Sequence, residues 1–67
     1  MRAWYTDIYG CQADLCQYAT GTTRLIIRNP YGTIIHEKEY RSWRGAKIAM
    51  GKLSDGWKID LPGKPLH

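Results

Sequence analysis

The segment Asn29-Pro30-Tyr31-Gly32 constrains the fold of this chain more than any other. An asparagine side chain can bond its own backbone, proline presets φ at the next position, and glycine accepts the backbone angle that closes a tight turn. The runs on either side, Thr22 to Asn29 and Thr33 to Tyr40, are rich in β-branched residues, so the unit is expected to be a β-hairpin. With Asn29 opposite Gly32, Ile27 faces Ile34, Leu25 faces His36, Ile26 faces Ile35 and Arg24 faces Glu37, which sets like against like and opposite charges across from each other. A three-residue loop with a glycine bulge would shift this register by one and give poorer pairs. In the preferred register Leu25, Ile27, Ile34, His36 and Tyr40 form the core face. Arg24, Ile26, Arg28, Thr33, Ile35, Glu37 and Glu39 then form an amphipathic face that meets water or a partner.

Ser42 stands where a helix N-cap belongs, and Trp43, Ala46, Met50 and Leu53 recur on one side of the segment Trp43 to Leu53. That stripe is expected to dock on the hairpin. Arg44, Lys47, Ile48 and Lys52 fall on the opposite side, giving a basic outer face that holds one isoleucine. Gly45 and Gly51 each cost about 1 kcal/mol relative to alanine, so packing rather than propensity must hold this helix. Ser54-Asp55-Gly56 stops it, and Trp57 to Leu61 alternates as an edge strand would. At the other end, Ala3 to Tyr9 suits a strand. Cys11 to Gly21 has no clean period, and Ala13, Leu15, Cys16 and Ala19 allow a helical turn. The expected fold is therefore α+β, a small antiparallel sheet of three to four strands with one amphipathic helix packed on one face. Residues 1–61 form a single domain and 62–67 a flexible C-terminal tail.

At 67 residues a domain buries only about 60% of the surface its unfolded chain exposes, which argues against a deep enclosed active site. No apolar run approaches the roughly 18 residues that cross a bilayer, and the first residues lack the apolar stretch of a signal peptide. No membrane association and a cytoplasmic location are expected. The net charge is +4, and it is unevenly placed. Up to Glu37 the bases and acids balance, whereas Lys38, Arg41, Arg44, Lys47, Lys52, Lys58 and Lys64 face only Glu39, Asp55 and Asp60. Such an excess favours phosphate backbones or acidic protein surfaces, although a small domain also carries this much charge for solubility alone. Five Tyr and three Trp with no Phe give large rings with polar edges, which suit an interface or the few large fillers of a small core.

Cys11 and Cys16, with His36 and His67, have poor spacing for a zinc site, and two free thiols are the simpler expectation. There is no phosphate-cradling glycine loop, nucleophile elbow or metalloprotease helix, so neither an enzyme nor a cofactor is expected.

The stretch Tyr40-Arg41-Ser42-Trp43-Arg44-Gly45-Ala46-Lys47 follows directly on the hairpin. A hairpin running into an aromatic-x-Ser/Thr-x-x-x-Ala helix start resembles the arm-site DNA-binding domains of phage-type tyrosine recombinases. Ser42, Arg44, Ala46 and Lys47 also resemble the second helix start of double-stranded-RNA-binding domains. The first resemblance implies an exposed sheet face, with Arg24, Arg28 and Thr33, entering a groove. The second implies that Arg44 and Lys47 grip phosphates. Together with the charge distribution they suggest a small accessory protein of phage or mobile-element type that binds DNA or RNA. In it Arg41, Arg44, Lys47 and Lys52 contact phosphates, and Arg24, Arg28 and Tyr31 meet bases or sugar. The rival expectation is a small phage-type modulator or inhibitor that binds an acidic host protein surface, anchored by exposed Tyr and Trp rings and by Ile26, Ile35 or Ile48. Homodimerisation through the free edge of Trp57 to Leu61 is compatible with either.

Overall fold

A computed structural model describes residues 1–54 and 56–60, with the backbone alone at Ile59 and Asp60. The expected tail and the last residue of the expected edge strand, Leu61, lie outside the described residues. The elements are β1 (Arg2–Thr6), β2 (Gln12–Gln17), β3 (Thr23–Arg28), β4 (Ile34–Tyr40), α1 (Trp43–Leu53) and β5 (Lys58–Asp60). The sheet is antiparallel in the order β4-β3-β2-β1-β5, so the first four strands form a meander. After the helix the chain crosses to the far edge, where three-residue β5 pairs with β1. The α+β architecture with one helix on one face is as the sequence implies. The segment left open to a helical turn instead supplies β2, whose Ala13 and Leu15 are buried while Gln12 and Asp14 face outward. Among the described residues no helix is long and apolar enough to cross a membrane.

The three hairpin loops of the meander are built alike. Gly10, Gly21 and Gly32 are spaced eleven residues apart and have φ of 88°, 94° and 88°. Each glycine N–H donates to the carbonyl three residues earlier, in Asp7 (3.3 Å), Tyr18 (2.9 Å) and Asn29 (2.9 Å). The N–H of that earlier residue donates in turn to the carbonyl just past the glycine, in Cys11 (3.1 Å), Thr22 (2.9 Å) and Thr33 (2.9 Å). This is the three-residue loop in which a left-handed position, open to glycine at little steric cost, restores the strand direction.

The β3–β4 loop is therefore the glycine-bulge form, and the expected pairing of Asn29 with Gly32 is not made. Asn29 Oδ1 accepts from the N–H groups of Tyr31 and Thr33, both at 3.0 Å, and this holds the longer closure. A second irregularity follows, because Arg28 pairs with Ile34 but Ile27 pairs with His36, leaving Ile35 unpaired in a bulge. Beyond it Ile26 opposes Glu37, Leu25 opposes Lys38, Arg24 opposes Glu39 and Thr23 opposes Tyr40. On β3 the expected core residues Leu25 and Ile27 are buried. On β4 the two slips re-sort the side chains. Ile34 moves to the outer face opposite Arg28 and is exposed, whereas His36 and Tyr40 stay on the helix side as expected, with Lys38 between them opposite Leu25. Ile35, expected on the outer face, joins Ile27 and His36 on the helix side.

Helix α1 begins at Ser42, whose Oγ accepts from the Gly45 N–H at 3.0 Å. Ala46 and Met50 seat it on the sheet, and the core comprises them with Ala3, Tyr5, Ala13, Leu15, Leu25 and Ile27. Trp43 packs against this cluster as expected, but Leu53 is 51% exposed, so the apolar stripe meets the sheet only as far as Met50. The Trp57 indole Nε1 donates at 2.9 Å to the Met50 carbonyl, which also accepts from the Ser54 N–H at 3.3 Å. Among the described residues no element covers the sheet face opposite the helix.

Candidate functional site

Antiparallel topology brings the Asp7–Cys11 loop, the Asn29–Thr33 loop and the C-terminal end of α1 to one end of the molecule. A Cβ on Gly10 would lie 3.2 Å from Pro30 Cγ, so the two loops are in close contact. Between them and the helix end lies an open cleft of about 470 Å³. Tyr9 and Cys11 form one wall, Ile27, Ile35 and His36 a second, and Lys52, Leu53, Ser54 and Trp57 a third, with Asp7 at its base.

Asp7 organises this end. Its Oδ1 accepts from the N–H groups of Tyr9 (2.9 Å) and Cys11 (2.8 Å), repeating what Asn29 does in the neighbouring loop. Its Oδ2 accepts from Ser54 Oγ at 2.5 Å, which ties the loop to the residue capping α1. Burial alone would push the carboxyl up, but these hydrogen bonds together hold it below the usual carboxylate range. The neighbouring Cys11 thiol is pushed up by burial and by the Asp7 charge, which makes it a poor nucleophile. His36 Nε2 lies 3.0 Å from the Tyr40 hydroxyl, and the two rings stack with centroids 6.4 Å apart. Asp7 and His36 are thus partnered within the chain, and Tyr9, Ile27, Ile35, Leu53 and Trp57 give the cleft largely apolar walls.

The exposed apolar side chains gather here. Of the nine large hydrophobic residues exposed among those described, Ile8, Tyr9, Tyr31, Ile34, Ile35 and Leu53 belong to this end, and only Met1, Tyr18 and Ile48 do not. Tyr9, Ile35 and Leu53 line the cleft, whereas Ile34 is on the outer face.

The residues expected to contact nucleic acid do not converge. Arg24 is ion-paired with Glu37 on the outer sheet face. Arg28 is on that same face, at the other end of β3. Lys47, expected on the outer side of the helix, instead places its Nζ 5.4 Å from the Tyr5 ring centroid, where the ring quadrupole attracts it. Tyr31 is 91% exposed at the hairpin tip. Arg41 precedes the helix and Arg44 lies in its first turn, while Lys52 is in the last turn, on the cleft wall. Among the described residues Arg28, Arg41, Arg44 and Lys52 make no ion pair. Arg2 supplies a further contact on the outer face, clamping Asp14 through Nε (3.1 Å) and Nη2 (2.6 Å) with its guanidinium 5.1 Å from the Trp4 ring centroid.

Cys16 is on the outer face opposite Arg24, and Cys11 lines the cleft on the helix side, so the two thiols stand on opposite faces of the sheet. Among the described residues no three His, Cys, Asp or Glu side chains cluster as metal ligands would. Asp7, Ser54 and the cleft were not singled out from the sequence. The available signal was the parallel between Asp7-x-x-Gly10 and Asn29-x-x-Gly32. Comparison with protein-family models, curated proteins and solved structures found no match to this chain.

Proposed function

We propose that the chain is a small protein-binding module that receives an apolar side chain of an acidic partner in the cleft between the two loops and the end of α1. The observation that carries this is the gathering of six of the nine large hydrophobics exposed among the described residues at the end of the molecule that holds the cleft, with three of them, Tyr9, Ile35 and Leu53, on its walls. Aromatic and aliphatic groups at the centre of a patch, with charge at its rim, are the usual anatomy of a binding surface. Tyr9, Ile35, Leu53 and Trp57 supply the walls, and Lys52 supplies a cation. A net charge of +4 favours an acidic partner and speeds its approach. The test is selection of peptide binders against the intact chain, followed by titration of Leu53→Asp and Trp57→Ala. Loss of about tenfold or more in affinity in each is expected. Binders that ignore both substitutions would sink the proposal.

Nucleic-acid binding is the second reading, and one observation favours it. Arg41, Arg44 and Lys52 are exposed and free of carboxylate partners among the described residues. Phosphate contacts release counterions, so binding to mixed double-stranded DNA or RNA through these residues would weaken steeply between low and physiological salt. It would also be lost in Arg41→Ala/Arg44→Ala. Salt-insensitive or absent binding at low salt rules this reading out and leaves the cleft.

A further inference from the structure

β4, which lines the cleft through Ile35 and His36, is an edge strand of the sheet among the described residues. We infer that the partner segment is an extended strand that adds to β4 and turns one side chain into the cleft, an inference that rests on the protein-binding reading above. β4 pairs with β3 alone, so along its other side the backbone has no ladder partner among the described residues. Such an edge presents N–H and C=O groups to an incoming chain. The bulge joins this edge to the cleft, because Ile35 and His36 belong to both. It also interrupts regular pairing, which leaves His36 to Tyr40 as the template.

The charges along the edge select the occupant. A second copy adding edge to edge runs antiparallel about a twofold axis normal to the sheet, and side-chain alternation then forces residues of the same parity to oppose each other. Centring the pair on Glu37 sets Glu37 against its own copy and runs the pairing into the bulge at Ile35. Moving the axis to Lys38 sets Lys38 against itself and Glu37 against Glu39. Like charges oppose in both registers, which disfavours pairing. A different chain escapes this constraint. On the helix side β4 presents Lys38, and Lys52 stands on the cleft wall. The one described acid there, Asp7, is buried with both oxygens occupied. On the other side of the strand stand Glu37 and Glu39, Glu37 already paired with Arg24. The occupant is therefore an extended peptide with acids and an apolar anchor on its helix-facing side, and neutral or basic residues on the other.

The probe is a random peptide library displayed on phage and selected against the full chain, followed by synthetic copies of the enriched sequences. Acids are expected at every second position with an aromatic or aliphatic residue in the same phase, and binding should slow amide exchange between His36 and Tyr40. Lys38→Glu should weaken binding by about tenfold, Leu53→Asp should abolish it, and Ile48→Asp on the solvent side of the helix should leave it unchanged. Peptides that need Leu53 but leave the β4 amides unprotected overturn strand addition and spare the cleft. Peptides indifferent to Leu53→Asp overturn both, as does a library that yields no binder. A chain that dimerises with its β4 amides protected replaces the foreign strand by a second copy.

Discussion

Asp7 makes the sharpest prediction about stability, because the same fold contains its own control. Its carboxylate takes two loop N–H groups and the Ser54 hydroxyl, and the residue is only 7% exposed. Asp7→Ala removes an acceptor from three donors at once. A hydrogen bond to a charged group contributes about 1.5–3 kcal/mol, but water can reach part of the loop, so a net loss of about 2–4 kcal/mol is expected. Asn29 shows that a carboxamide oxygen can accept the same pair of loop N–H groups. Asp7→Asn should therefore keep the loop and lose little beyond the charged bond to Ser54, about 1 kcal/mol. Urea titration at neutral pH separates the two. For a domain of this size each kcal/mol also moves the thermal midpoint by about 4–8 °C. The pH dependence follows from the direction of the carboxyl shift. Because the folded state holds the group below its unfolded value of about 3.9, its contribution is complete well above that pH and is lost as pH falls through the folded value. The native chain should thus lose stability in acid more steeply than Asp7→Asn. Equal stability of the alanine and asparagine variants, or equal acid slopes in native and Asp7→Asn chains, would refute the account of Asp7 as an anionic tie.

Other substitutions test the loops and the surface. Gly32→Ala places a Cβ in open space at φ 88°, so the backbone strain alone should cost about 1 kcal/mol by denaturant titration. Gly56→Ala adds a contact of 2.7 Å with Ile8 Cγ2 to its positive φ and should cost clearly more in the same assay. Trp57→Phe keeps most of the ring and deletes the bond to the Met50 carbonyl, so a loss of about 1 kcal/mol is expected. Arg24→Ala removes a half-exposed ion pair with Glu37 and should change stability by no more than about 1 kcal/mol, a difference that shrinks further in high salt.

The parts of the fold that were readable in the sequence are those set by local chemistry. Asn29-Pro30-Tyr31-Gly32 marked a turn, Ser42 marked the helix start, and the alternation of Leu25 and Ile27 marked the buried side of β3. The second strand was hidden because Cys16 and Ala19 extend the Ala13 and Leu15 alternation into a spacing that also suits a helix turn. The repeat of Gly10, Gly21 and Gly32 at one interval would have resolved it, since three equal loops at equal spacing imply a meander. Phase was the harder quantity. Apolar pairing alone favoured Ile27 opposite Ile34, but the Asn29 side chain can accept from both Tyr31 and Thr33 only when the loop has three residues.

That one local preference propagates to the candidate site. The longer loop displaces β4 by one residue, which sends Ile34 outward. The bulge at Ile35 then takes a second residue out of register and returns His36 to the helix side. Without the bulge Ile35 would pair opposite Ile27, and one residue fewer would stand on that side between Arg28 and Leu25. With it, two consecutive side chains, Ile35 and His36, line the cleft together. The apolar wall proposed to receive a partner is in this sense the result of two slips in a ladder that simple alternation would have kept regular. The basic residues underwent no such concentration, because the helix turns its bases toward different neighbours. Lys47 goes to the Tyr5 ring, Lys52 to the cleft, and Arg44 stands in the first turn. Charge counted along the chain gives only a net field, whereas the place of the cleft proposed as the binding site depends on backbone register, and register is decided by the loops.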